Sequence, residues 1–173
     1  MIVVLMGYMG SGKSTIGKDL AKVLDYRFLD LDEYISEKEN ATIKDIFDSS
    51  GEIYFRKKEN HYLNEILNSQ ENKVLALGGG TPCYGRNLKL LLDNSQVKLF
   101  YLKLSIPLLA KRLYNEREKR PLINHISSES ELVEFIGKHL FERTYYYNQA
   151  QYTIDIDNKS KKETLETILM QLI

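Results

Sequence analysis

The run Gly7-Tyr8-Met9-Gly10-Ser11-Gly12-Lys13-Ser14 contains the residue types that hold a polyphosphate. Its glycines allow a tight turn whose backbone N–H groups approach phosphate oxygens without side chains in the way. A helix beginning near Lys13 adds a favourable dipole. The pattern is that of a P-loop. In such a loop Gly10, Ser11 and Gly12 form the cradle, Lys13 reaches the β and γ phosphates, and the Ser14 hydroxyl ligates magnesium. Thr15 either joins the nucleotide contacts or bonds its own helix backbone.

A second group of residues has the chemistry to hold and activate an acceptor. In Asp30-Leu31-Asp32 the two carboxylates stand at i and i+2, which on an extended segment places them on one side. One could face magnesium and the other a substrate hydroxyl, orienting it and taking its proton. The alternative is that Asp32 caps the following helix. Glu52, Arg56 and Glu59 share one helical face by their spacing, as either an acceptor-side cluster or a surface ion-pair stripe. Gly78-Gly79-Gly80 carries a large entropic cost, which suggests a ligand that needs bare backbone. Cys83 has no neighbouring base and is not read as a nucleophile. His61, His125 and His139 lack metal-ligand spacing and are expected to be structural or solvated.

These residues need a scaffold. Ile2–Met6 is an unbroken β-branched and apolar run, the signature of a buried parallel strand. Lys13–Leu24 repeats its apolar residues at helical steps. Further strands are expected at Tyr26–Asp30, Val74–Leu77, Val97–Leu102 and Tyr152–Ile156. Helices are expected at Leu104–Tyr114, Leu132–Tyr146 and Thr164–Leu172. Thr42 with Asp45 marks a helix start, and Gly51 divides that helix from another running to about Asn68. Alternating strands and helices imply a parallel sheet covered on both faces, with ligands beyond the carboxyl ends of the strands. Gly7, Asp30 and Gly78 all fall at such ends.

Bulk properties narrow the partners. The chain has 173 residues, enough for one sizeable core, and its 24 basic and 24 acidic residues cancel. No global cationic field gathers nucleic acid or an anionic membrane. No stretch approaches membrane-spanning length, and a single cysteine makes no internal disulfide. A cytoplasmic, reduced location is the expectation. Neither Asn-Lys dipeptide is followed by the Asp with which GTP-binding switches read guanine.

Taken in order and approximate spacing, the P-loop, Asp30-x-Asp32, Gly51-Glu52 with Phe55-Arg56 and Glu59, Gly78-Gly79-Gly80, and Arg120-Pro121-Leu122 resemble shikimate kinase over nearly the whole chain. The resemblance implies one domain over residues 1–173, a three-layer α/β/α P-loop kinase with a five-stranded parallel sheet ordered 2-3-1-4-5. It also implies a substrate-binding region at about 32–60, a mobile lid at about 115–128, and transfer of the ATP γ-phosphoryl group to the 3-hydroxyl of shikimate. By resemblance, Asp32 holds the ring hydroxyls and assists the attacking one, while Asp30 reaches magnesium through water. Gly79, flanked by Gly78 and Gly80, offers backbone to the substrate, and Arg56 and Arg143 grip its carboxylate. Arg120 reaches the ATP phosphates and Arg112 faces adenine. A monomer working on shikimate and ATP, with no nucleic acid or membrane partner, is expected.

Within the lid, Glu116–Arg120 is highly charged, Pro121 interrupts helical continuation, and Asn124-His125 with Ser127-Ser128 offers little to bury. The rival enzyme readings are a gluconate-type kinase and a nucleoside monophosphate kinase. A nucleotide-dependent binding module without an acceptor is the reading from another class. Thr144-Tyr145-Tyr146-Tyr147 departs from the Pro and Tyr that the family often has after Arg143.

Overall fold

β1 (Ile2–Met6) is buried at every residue and lies in the middle of the sheet, where an apolar run facing helices on both sides belongs. It pairs in parallel with β3 (Lys73–Ala76) on one side and β4 (Val97–Lys103) on the other. β2 (Arg27–Asp30) and β5 (Tyr152–Asp155) form the edges, giving the order β2-β3-β1-β4-β5. This computed structural model describes residues 1–120 and 122–172, apart from the Lys119 side chain. Pro121, expected to interrupt a helix, lies outside the described residues.

The chain leaves β1 through α1 (Lys13–Leu24) toward β2 at one edge. It leaves β3 through α4 (Asn87–Asp93) toward β4 on the other side of β1. The two connections diverge, so a crevice opens between the carboxyl ends of β1 and β3, where ligands of open α/β sheets bind.

Four helices begin with a side-chain cap. Asp30 caps α2 (Leu31–Glu39), Thr42 caps α3 (Ile43–Asn68), Ser128 caps α6 (Glu129–Tyr147), and Ser160 caps α7 (Lys161–Met170) in a full capping box with Glu163. α1 instead starts at Gly12 with no side-chain cap and no acidic residue in its first turn. Its first N–H groups are left for an anion. α5 (Ile106–Tyr114) packs against α6 beside this end of the sheet.

The expected elements form with shifts of a few residues, and α6 and α7 begin earlier because Ser128 and Ser160 cap them. α3 is broken at Gly51, whose φ of 78° and ψ of 172° lie outside helical space. Such a positive φ favours glycine. The break lets Ile43 and Phe47 from the first half, and Phe55, Arg56 and Glu59 from the second, line one cavity.

One expectation is corrected here. Asp30 and Asp32 do not share an extended segment, because Asp30 ends β2 while Asp32 already lies in the first turn of α2. The cap is Asp30, which accepts from the Asp32 and Glu33 N–H groups at 3.1 and 3.4 Å. Asp32 is therefore free of the capping role.

Candidate active site

The phosphate loop is shaped by torsion and by close approach. Gly10 and Gly12 have φ of 80° and 92°, in the region that L side chains rarely adopt. A Cβ at Gly7 would stand 2.7 Å from the Leu102 carbonyl oxygen. Lys13 is buried and folds over the loop, its Nζ donating to the carbonyls of Gly7 at 2.9 Å and Tyr8 at 3.0 Å. The Ser14 hydroxyl donates to Asp30 Oδ2 at 2.6 Å, so the first turn of α1 and the end of β2 converge on one point. Ser11 Oγ is buried without a hydrogen-bond partner among the described residues. Arg112 on α5 donates to the Gly10 carbonyl at 3.3 Å and, with Thr15, borders both the main cleft and a smaller neighbouring cavity of 210 Å³.

The main cleft, of 610 Å³, holds Gly10, Gly12, Lys13, Ser14, Asp30 and Asp32. A second cavity of 340 Å³ shares Met9, Asp32, Gly78, Gly79 and Arg120 with it and extends to Arg56, Gly80 and Arg143. The two form one continuous cleft with phosphate-binding groups at one end and arginines at the other.

Arg56 is locked in place. Its Nη1 donates to both Glu59 oxygens at 3.1 and 2.9 Å, its Nε to Glu52 at 3.3 Å, and its guanidinium lies 3.7 Å from the Tyr84 ring centroid. Glu59 is only 1% exposed and also accepts from the Thr81 hydroxyl at 2.7 Å and Asn87 Nδ2 at 3.4 Å. A buried, fully bonded carboxylate takes Glu59 and its partner Arg56 out of the surface-stripe reading, while Glu52 remains an exposed partner of Arg56. Arg143, far along the chain on α6, brings its guanidinium 5.6 Å from the Tyr8 ring centroid. The Tyr8 hydroxyl in turn bonds His139 Nδ1 at 2.9 Å, which gives that histidine a structural role.

The protein's own side chains crowd the triple glycine. None of Gly78, Gly79 and Gly80 has a positive φ, so torsion does not demand them. A Cβ at Gly78 would stand 2.9 Å from Asp32 Oδ1, and one at Gly80 would stand 3.1 Å from Arg56 Nη2. Bare backbone lets the charged groups crowd in.

The lid segment also differs in part from expectation. Ile123 and Ile126 are fully buried, pinning a stretch thought to have little to bury, whereas Leu122 is exposed and borders the second cavity. Arg120 pairs with Glu116 at 2.7 Å and borders both cavities.

Comparison with known proteins decides the family. A sequence model described as shikimate kinase matches residues 9–173. The chain is 50% identical over 167 residues to a shikimate kinase of Flavobacterium johnsoniae, covering 96% of each. The chain belongs to the shikimate kinase family. The fold agrees with the crystal structure of the Bacteroides thetaiotaomicron shikimate kinase at a TM-score of 0.89 and 31% identity, covering 99% of this chain and 98% of that one. It also agrees with an Acinetobacter baumannii shikimate kinase solved in complex with shikimate, at 0.84 and 34%, covering 99% and 92%. As a member of this family the chain is an ATP-dependent kinase of shikimate.

In this family member, the charges in the cleft perturb one another. Burial, then the carboxylates of Asp30 and Glu59, push the Asp32 carboxyl up to about 6, against the pull of Lys13 and Arg56. Burial brings the Lys13 ammonium down to about 8. Asp32 and Asp30 oppose that shift, and Arg120 and Arg143 add to it. The Ser14 hydroxyl and Asp30 carboxylate are hard oxygen donors, and this crowd of carboxylates favours a cation. Magnesium usually takes only one or two protein groups and completes its shell with phosphate and water, so the donor set fits it. Among the described residues no group of three or more His, Cys, Asp or Glu is arranged for a metal. Burial pushes the Cys83 thiol up to about 11, in line with its exclusion as a nucleophile.

Proposed function

We propose that the chain transfers the γ-phosphoryl group of ATP to the 3-hydroxyl of shikimate, with Asp32 as the group that orients this hydroxyl and accepts its proton. The observation that carries the assignment is the position of Asp32, which borders both the phosphate end and the acceptor end of the cleft. A carboxylate at that boundary meets the attacking oxygen where it approaches the phosphoryl group. Gly10, Ser11, Gly12, Lys13, Ser14 and Thr15 hold the nucleotide phosphates, and Arg112 borders the base. Arg56 and Arg143 take the acceptor carboxylate in charge-assisted bonds beside the Gly78–Gly80 backbone.

Ser14, directly, and Asp30, through water, are assigned to magnesium, which when bound offsets phosphate charge. Arg120 adds positive charge from the lid. Lid closure is assigned to the stretch around Arg120 and Leu122, while Ile123 and Ile126 stay seated in the core. Closure keeps water from the phosphoryl group. We assign the chain as a monomer acting on small molecules alone. No helix among the described residues is long and apolar enough to cross a membrane. The free Cys83 suits the cytoplasmic location we assign.

The test is ADP release with magnesium and ATP against shikimate, gluconate, AMP and CMP in parallel. Turnover dependent on shikimate is expected. A preference for gluconate or a nucleotide, or ATP hydrolysis indifferent to every acceptor, overturns the reading.

A further inference from the structure

Tyr147 lies one helical turn beyond Arg143 on α6 and is wholly buried. Its ring packs against Tyr101 of β4, with centroids 5.0 Å apart and planes tilted by 34°. Its hydroxyl donates to the Gly79 carbonyl at 2.5 Å. That carbonyl belongs to a trans peptide, since the described chain has no cis bond. In a trans peptide the C=O and the next N–H point in opposite directions. Committing the Gly79 C=O to Tyr147 therefore turns the Gly80 N–H away from α6. No protein acceptor pairs with that N–H among the described residues, and Gly80 borders the cavity that also holds Arg56 and Arg143. An unpaired amide beside two guanidiniums is a donor for an anion.

We propose that Tyr147 is a positioning residue, whose hydroxyl fixes the Gly79–Gly80 peptide so that the Gly80 N–H meets the acceptor's anionic end alongside Arg56 and Arg143. This rests on the reading that the acceptor carboxylate occupies that end of the cleft. One rigid helix then carries both a carboxylate-binding arginine and the tether that aims the backbone donor. Burial holds the Tyr147 phenol well above the ordinary range, keeping it a donor at every working pH. The same geometry gives the departure from the family's usual Pro after Arg143 a physical setting: α6 runs unbroken through Thr144, Tyr145 and Tyr146 and delivers Tyr147 to the glycine loop.

The experiment compares wild type with Tyr147→Phe, which removes the hydroxyl and keeps the packed ring. The expected result is a rise of about fivefold to tenfold in both the KM and the calorimetric Kd for shikimate, the size of one lost hydrogen bond. The KM for ATP should stay within about twofold. An unchanged shikimate KM overturns the proposal. So does a parallel rise in both KM values with a lowered Tm, which marks a purely structural tyrosine. If the variant does not fold, exchange of the Gly80 amide in the wild type replaces it. Slower exchange on adding shikimate supports the proposal, and unchanged exchange overturns it. Wild-type turnover with shikimate is measured first. Its absence counts against the assigned reaction, whereas active wild type with an indifferent Tyr147→Phe counts against this inference alone.

Discussion

The two ends of the cleft are built in opposite ways. The phosphate end is a continuous run from Gly7 to Ser14, closed by bonds between near neighbours such as Lys13 to the carbonyls of Gly7 and Tyr8. The acceptor end draws on the loop after β3, α2, both halves of α3, the lid segment and α6. Its ties join separate elements, with Tyr147 holding Gly79 across 68 positions and Thr81 holding Glu59 across 22. A local loop keeps its shape through its own torsions. A composite site keeps its shape only while separate elements stay packed. The phosphate end owes more of its shape to its own torsions, with Arg112 to Gly10 and His139 to Tyr8 as its distant ties, while acceptor recognition depends on the whole fold.

The largest effects should come from the groups nearest the reacting atoms, and they should leave the scaffold intact. Asp32→Asn is expected to lower kcat by about 10²- to 10⁴-fold, the usual worth of a general base. Its Tm should hold, because Asp30 and not Asp32 caps α2. Lys13→Ala should cost about 10²- to 10³-fold in turnover, as for the loss of one preorganised electrostatic contact. Calorimetry should show shikimate still binding to Lys13→Ala. Near-normal kcat in either variant, with circular dichroism unchanged, breaks the assignment of that end.

Intermediate effects separate the two arginines. Arg143→Lys and Arg56→Lys should each weaken shikimate binding by about tenfold to a hundredfold while ATP affinity is kept. Only Arg56→Lys should also lower Tm, because it strips the forked partner from buried Glu59. Equal Tm losses in both variants would show that the acceptor end is less dependent on the Glu59 network than its geometry implies.

The smallest effect is one of pH. With Asp32 raised to about 6, its carboxylate is the dominant form above that pH and is lost below it. Shikimate binding to the nucleotide-free protein, followed by calorimetry, should hold steady near neutrality and weaken as pH falls through about 6. Affinity level down to about pH 5, well inside the ordinary carboxylate range of other sites, removes Asp32 from acceptor binding.

Much of this architecture was legible before the structure. The apolar run Ile2–Met6, the glycines before Lys13 and the break at Gly51 depend on backbone torsion and short-range periodicity, and each formed where expected. Other features lie beyond a local pattern. The sequence names Asp32 as the alternative helix cap and does not find Asp30 in that role, because the pattern does not show at which residue a strand yields to a helix. Gly78–Gly80 lines the second cavity, and what the sequence does not show is that Asp32 and Arg56 also press close to it. The lid was read as having little to bury, yet Ile123 and Ile126 reach the core.

The amino-acid sequence by itself determined the parallel α/β order, the phosphate loop and the residue types of the acceptor end, since torsional preference and hydrophobic period act over a few residues. Only the tertiary structure decided that Glu59 is buried beneath Arg56, that Arg143 lies over Tyr8, and that Tyr147 is bonded to Gly79. Those facts depend on which surfaces meet when the sheet and helices pack, and contacts between residues far apart in the chain leave no local pattern to read.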